Sequence, residues 1–359
     1  MIRPLLVSIA ALLLAGGCRG GLGPQSVRLT RTDYNVAAQE TGAQELLLNL
    51  VRLRYRDTPY FLQIASLSTN MRAAVGIGGE GTFLTPGADA GKLLGTLAIE
   101  ESPTVTYTPV VGERFVKEML EPVEPEILLL LSHAGWSIDR FFRLLVQEVN
   151  GIPNAPSASG PTPDRAPIYQ EFLRVSELLR ILQMRRELAL IQGTMEDERG
   201  GVWLRFTPEG LASDEYRELA ARLGLEPGRQ LFELVASVGP RSPGRIQVVL
   251  RSVLSALFYA SHGIAVPEED RAAGRVTTTL DASGAPFDWG RLTGSLLRVR
   301  AGRPDERPYV SVRYRDRTFF IDDADRDSKS TFAMIHLVLA LKAGNVPTSG
   351  PVLTLPVMR

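Results

Sequence analysis

The chain has 359 residues, of which 44% are hydrophobic and 22% charged, the make-up of a globular protein with a sizeable core. Forty basic side chains face forty acidic ones, so no overall basic excess argues for a nucleic-acid partner and no acidic tail for disorder. One cysteine excludes an internal disulfide, and three histidines leave little material for a metal or catalytic centre.

The first residues read as a targeting segment. Arg3 is its basic start, and residues 5–14 are apolar except for Ser8. Ten residues are too few to span a bilayer, which takes roughly 20. Ala15, Gly16 and Gly17 then lead into Cys18, the single cysteine. This arrangement resembles the lipobox of bacterial lipoproteins, with one departure: Ala15, not Leu14, stands three residues before the cysteine. The resemblance implies cleavage before Cys18 and acylation of its sulfur and new amino group. Several acyl chains anchor firmly, at about 0.8 kcal/mol per buried methylene. Arg19, where an Asp would imply retention in the inner membrane, implies the outer membrane. An ordinary secretory leader cut near Ala15 or Gly17 is the alternative.

From this start we expect a leader at 1–17, then the lipidated cysteine and a Gly-rich flexible tether at 18–32. An N-terminal lobe should fill 33–149 and a C-terminal lobe 168–359. Between them, residues 150–167 carry five prolines and two glycines and read as a loop or linker.

Within the first lobe, Leu46, Leu47, Leu50, Val51 and Leu53 recur at helical spacing and predict a helix over 41–57. Residues 60–67 and 104–108 read as strands, and 71–84 as a loose hairpin. Gly76, Gly78 and Gly81 meet the literal spacing of a dinucleotide loop, but no helix pattern follows, so a hairpin is preferred. Helices are expected at 112–121, at 126–133 with Pro125 in the first turn, and at 137–149. Asn150-Gly151 should end the last of these in the left-handed manner.

In the second lobe, Ile168, Phe172, Val175, Leu179 and Leu182 predict a long helix over 168–191. Strands are expected at 202–206, 231–237, 296–300 and 352–356. Helices should occupy 213–223, 247–262 and 328–342. Residues 308–314 and 318–321 should form a hairpin. Helices among mainly antiparallel strands predict an α+β fold. Residues 51–62 and 310–321 match at six of twelve positions, which we read as coincidence rather than duplication.

The densest polar cluster runs from Asp322 to Thr331. Asp323, Asp325 and Asp327 have the alternate spacing of a calcium loop and are the metal candidates. Ser328 and Met334, however, stand where such a loop needs glycine and glutamate. The preferred reading is that a strand ends at Ile321 and that Asp327 or Ser328 caps the next helix. His133, His262 and His336 lack zinc-ligand spacing, and no nucleophile elbow is present. No catalytic residue and no cofactor are therefore assigned.

Three blocks, 49–61, 102–109 and 321–332, resemble uncharacterised lipoproteins of Gram-negative bacteria. That resemblance implies a location and no chemistry. The expected function is a non-enzymatic interaction or scaffold subunit facing the periplasm. It would hold membrane lipid through acylated Cys18 and other envelope proteins through its body, with no nucleic acid. An anchored hydrolase of envelope polymers and a small-ligand binder are the alternatives.

Overall fold

The computed structural model describes residues 22–77, 95–109, 113–193 and 200–343; Cys18 and the stretches 78–94 and 352–356 lie outside them. The chain divides into two units. One joins the chain up to Pro59 with Met119–Ala340, and the other comprises Tyr60–Glu118 and the chain from Leu341.

Helix α1 (Leu22–Arg54) buries Leu46, Leu47, Leu50, Val51 and Leu53, as their spacing requires. It starts well before the expected 41–57 and takes in residues 22–32 of the expected tether. Pro24 falls in the first turn, where its missing N–H is tolerated, and no glycine or proline follows before Gly42. Arg56 leaves the helix at a φ of 60°.

In the second unit, β1 (Leu62–Ile77) and β2 (Gly95–Pro109) pair antiparallel from Leu62↔Pro109 to Ile77↔Gly95, with one register shift between Ile64 and Ser66. The strands expected at 60–67 and 104–108 are thus parts of two longer arms of one hairpin. A short helix α2 (Glu113–Leu120) follows.

The first unit resumes with α3 (Pro125–His133), α4 (Ile138–Leu145), β3 (Val146–Val149) and β4 (Ile152–Pro153). Then come α5 (Gln170–Met184), β5 (Leu188–Gln192), β6 (Val202–Phe206), α6 (Asp214–Leu223), β7 (Leu231–Ala236) and β8 (Arg245–Leu250). After these come α7 (Val253–Ser261), β9 (Arg300–Ala301), β10 (Val310–Tyr314), β11 (Arg317–Ile321) and α8 (Arg326–Ala343), and single helical turns lie at Pro208–Ala212, Glu268–Ala272 and Gly290–Thr293. The class is α+β. Six strands form one sheet in the order β4-β3-β8-β7-β6-β5, antiparallel except at β7–β8. Three form an antiparallel sheet, β10-β11-β9. No described helix is long and apolar enough to cross a membrane.

Helices α4, α5 and α6 pack in succession. Phe141, Phe142, Phe172, Phe206 and Phe232 are fully buried, each contributing roughly 1.5–3 kcal/mol through burial. Phe206 of β6 lies edge-on to Tyr216 of α6 at 4.9 Å and to Phe232 of β7 at 5.9 Å, which ties this helix to the sheet. Ser213 caps α6 through its Oγ, which accepts from the Tyr216 N–H at 3.1 Å, and Gly224 ends it at a φ of 66°.

The boundary expected at 150–167 falls inside this unit. β3 before it and β5 after it belong to the same sheet, and Ala155, Ala158 and Thr162 within it are buried. The segment is a covered loop of that unit rather than a link between lobes.

The helices expected at 137–149, 168–191 and 247–262 form as α4, α5 and α7, but one end of each gives way to a strand. Val146–Val149, Leu188–Gln192 and Arg245–Leu250 are β3, β5 and β8, because each finds a ladder partner that a helix would forgo. Asn150 and Gly151 are left-handed, at φ 44° and 77°, but they turn β3 into β4 instead of ending a helix. Asn150 also donates to the Leu223 carbonyl and accepts from the Gln247 N–H, both at 2.7 Å. The strand expected at 296–300 is reduced to β9 and a single bridge from Val299 to Ile264.

The two halves of the sequence echo have different structures, a helix end and a hairpin. They pack on each other: Tyr55 meets Tyr314 at 5.3 Å and Phe319 at 6.1 Å, and Asp57 pairs with Arg315 at 3.1 Å. Tyr314 Oη donates to the same Asp57 carboxylate.

Candidate functional site

The site grows from the end of α1. Arg54 lies four residues after Leu50 and seven after Leu47, so the helix turns it toward the core, and only 6% of it is exposed. Its Nη1 donates to Thr162 Oγ1 at 2.8 Å and to His262 Nδ1 at 3.3 Å. Its Nε is buried with no acceptor among the described residues. Burial, then the charge of Arg271, lowers its pKa to about 10.

His262 follows α7 and is equally buried. Its ring stacks on Trp289 with centroids 3.9 Å apart and planes within 11°. Nε2 lies 3.2 Å from the Ala158 carbonyl. A carbonyl can only accept and a guanidinium can only donate, so the proton sits on Nε2 and Nδ1 offers its lone pair. The imidazole is neutral, and burial, then Arg54, holds its pKa well below the usual histidine value. Gly263 makes this placement possible. A Cβ there would lie 2.3 Å from the Leu297 carbonyl oxygen, so only glycine lets the two backbones approach.

Around this core lies a cleft of about 500 Å³, lined among others by Arg54, His262, Arg271, Trp289, Arg298 and Arg300. A second cleft of about 630 Å³ shares Ala265, Val266 and Arg271 with it and adds Arg303 and Arg317. Together they form a groove rich in arginine. Several of these cations have carboxylate partners: Arg271 with Glu268 at 3.1 Å, Arg298 with Asp325 at 2.9 Å, and Arg300 with Asp322 at 3.0 Å. Arg54 differs, since its hydrogen bonds go to a hydroxyl and an imidazole. Beside the groove, buried Asp270 accepts from Tyr55 Oη at 2.5 Å and Arg275 at 2.6 Å. Burial opposes its charge, but Tyr55, Arg275 and Arg317 hold its carboxyl below the usual range. Burial and this bond raise the Tyr55 hydroxyl far above the usual tyrosine range.

The acidic segment lies where it was expected, between β11 and α8. Its carboxylates diverge. Asp322 goes to Arg300, Asp323 to Lys329 Nζ at 2.6 Å, and Asp327 to Arg140 at 2.8 Å. Asp325 accepts from the Ser328 N–H at 3.1 Å and Oγ at 2.8 Å, so it caps α8 in place of the expected Asp327 or Ser328. Among the described residues no three His, Cys, Asp or Glu side chains converge as a metal site would require. His133 faces the Leu190 carbonyl at 3.3 Å and His336 faces Phe332, so the three histidines have separate settings. Cys18 and the glycines at 78–81 lie outside the described residues.

Arg54, Arg271 and Trp289 had no part in the sequence reading. For Arg54 a signal existed: an arginine in phase with Leu47 and Leu50 is a charge placed on a core face. Trp289 and Arg271 carry no such signal, because only the fold brings them to Arg54. No protein-family model matches the chain, and no curated protein or solved structure matches it.

Proposed function

We propose that the chain is a lipid-anchored, periplasm-facing interaction subunit of the bacterial envelope, whose arginine-lined groove binds an acidic segment of a protein partner.

 The observation that carries this reading is Arg54, a buried cation with no carboxylate partner and an unmatched Nε among the described residues, in the wall of an arginine-lined groove. A buried charge without a counter-charge is costly, and an incoming carboxylate lowers that cost. The neighbouring arginines add attraction at a distance. The anchor rests on the residues around Cys18. The hydrolase alternative gains nothing from His262: both ring nitrogens are engaged, by Arg54 and Ala158, and no carboxylate among the described residues orients the ring as a general base requires.

Two experiments test the reading. Titration of the full chain with a heptaglutamate peptide, followed by tryptophan fluorescence, should show binding that weakens with added salt. Reversing two exposed groove charges, Arg271→Glu with Arg303→Glu, should weaken it on the order of tenfold. Equal binding of an oligolysine peptide, or an affinity that the double reversal leaves unchanged, would count against the groove. The volume of the inner cleft also suits a small anion. Competition by millimolar phosphate or free glutamate would favour that second reading over a peptide. For the anchor, labelled palmitate should enter the wild-type chain and not Cys18→Ser. A lipid-free mature N-terminus at Arg19 or beyond would sink it.

A further inference from the structure

We propose that the β1–β2 hairpins of several copies of this chain pair edge to edge and close a membrane-spanning β-barrel. The inference does not rest on the groove, and it shares only the membrane with the anchor.

The first ground is length. The two arms stay in register from Leu62↔Pro109 to Ile77↔Gly95. At roughly 3.4 Å per residue, 15 residues reach about 50 Å, whereas a strand crosses a bilayer in about 9–11. The second ground is isolation. The hairpin is a sheet of two strands, so both outer edges lack a strand neighbour among the described residues. A lone hairpin is at best marginal in water. Among the described residues its own unit offers little cover: α2 has eight residues, about 12 Å of helix.

The third ground is the alternation of residue types along the register. Past the shift at Ile64/Ser66, one set of positions reads Ser66, Ser68, Asn70 and Arg72, opposite Thr106, Thr104, Ser102 and Glu100. The intervening set reads Leu67, Met71, Ala73 and Val75, opposite Val105, Glu101, Ile99 and Leu97. Thr69 and Pro103 complete that second set, in which Glu101 is the one charge. A polar series, with Arg72 opposite Glu100 in the register, alternating with an apolar series is the pattern of a strand between water and lipid.

The open edges then name the occupant. In lipid every backbone N–H and C=O must find a partner, so a hairpin can enter only as part of a closed barrel. The free edge of β1 in one copy and the free edge of β2 in the next can continue the antiparallel ladder. Repetition of that head-to-tail contact closes a ring. Small membrane barrels have about eight strands, so two strands per copy call for at least about four copies.

Cysteine scanning tests this with the full chain. Single cysteines at successive positions 66–77 carry an environment-sensitive dye, in vesicles of phosphatidylethanolamine and phosphatidylglycerol. Lipid-soluble quencher should reach 67, 69, 71, 73 and 75, and aqueous iodide 66, 68, 70, 72 and 74. Crosslinking in the same vesicles should give a closed oligomer of four or more copies. Aqueous quenching at both sets, lipid quenching without a two-residue period, or a crosslinked mass of monomer would each overturn the proposal. The parent chain without an engineered cysteine separates the two readings. Dye on Cys18 there would refute acylation and leave the alternation to be read in a Cys18→Ser background.

Discussion

Replacing Arg251 with methionine is expected to destabilise the protein by about 1–3 kcal/mol, the cost of leaving buried carbonyls without a donor. Only 1% of this residue is exposed. Its guanidinium donates to Ser159 Oγ at 2.8 Å and to the carbonyls of Arg143, Leu144 and Val146 at 3.0, 3.2 and 2.9 Å, as well as to the Asn154 carbonyl. It also lies over the Tyr259 ring at 4.1 Å. Arg143 and Leu144 belong to the last turn of α4, where helix carbonyls lack intrahelical partners and the helix end favours a cation. One side chain therefore joins that helix end to β3 and to the loop that follows it. In Arg251→Met, Asn154 Nδ2 still serves the Arg143 and Val146 carbonyls, but those of Leu144 and Asn154 lose the guanidinium. Methionine fills much of the volume and supplies no donor. Urea denaturation should show the loss as a lower midpoint with little change in slope, and the melting temperature should fall on the order of 2–10 °C. A variant within 1 kcal/mol of wild type would show that the carbonyls find other donors. Arg251→Lys should fall between the two, since an ammonium has three donors and cannot reproduce the planar fork.

The second large effect is a dependence on pH below neutrality, and it belongs to His262. An unfolded histidine titrates near 6.5, whereas burial and Arg54 keep the folded ring neutral to well below that value. The stability due to the neutral ring is fully present above about pH 6.5. It is lost as pH falls from there toward the folded pKa, because the unfolded chain takes a proton that the native state refuses. The loss approaches about 1.4 kcal/mol for each pH unit. Most carboxylates titrate near 4, so the window from 6.5 to 5 isolates histidine. His336, lowered by burial, contributes with the same sign. In His262→Gln, an amide can still donate to the Ala158 carbonyl and accept from Arg54, but it does not titrate. Stability curves at pH 7, 6 and 5 should then show a shallower slope than wild type. An unchanged slope would remove His262 as the source.

The α+β class was legible because several elements carry agreeing local signals. Val202–Phe206 alternates buried and part-exposed positions as its apolar pattern suggested, and the helix after it has Ser213 at its start and Gly224 at its end. Short apolar runs were ambiguous for a physical reason. Four or five residues fit both the helical and the strand period, and the choice fell to partners far along the chain. Val146–Val149 became a strand because residues 245–250 offer a ladder, and Asn150-Gly151 became a hairpin turn for the same reason. The groove was less legible. The contact of Arg54 with His262 spans 208 residues, and nothing local announces it. The β1–β2 hairpin was legible in part: strands were expected at 60–67 and 104–108, but residues 71–77, read with 78–84 as a loose hairpin, continue β1 instead.

The docking of α1 bears on the order in which the chain can fold. Tyr55 bonds to a residue 215 positions later, and Asp57 to one 257 positions later. The leucines near the end of α1 therefore emerge early from a ribosome or a translocation channel and wait for α7 and β10, which emerge late. Closing so long a loop adds little to the free energy, about 0.6 kcal/mol for each doubling, but it delays the event. During the wait the buried face of α1 is available to chaperones, and to other nascent copies. A chain cut short before residue 310 would keep α7 but lack β10, and part of that face would stay uncovered for good.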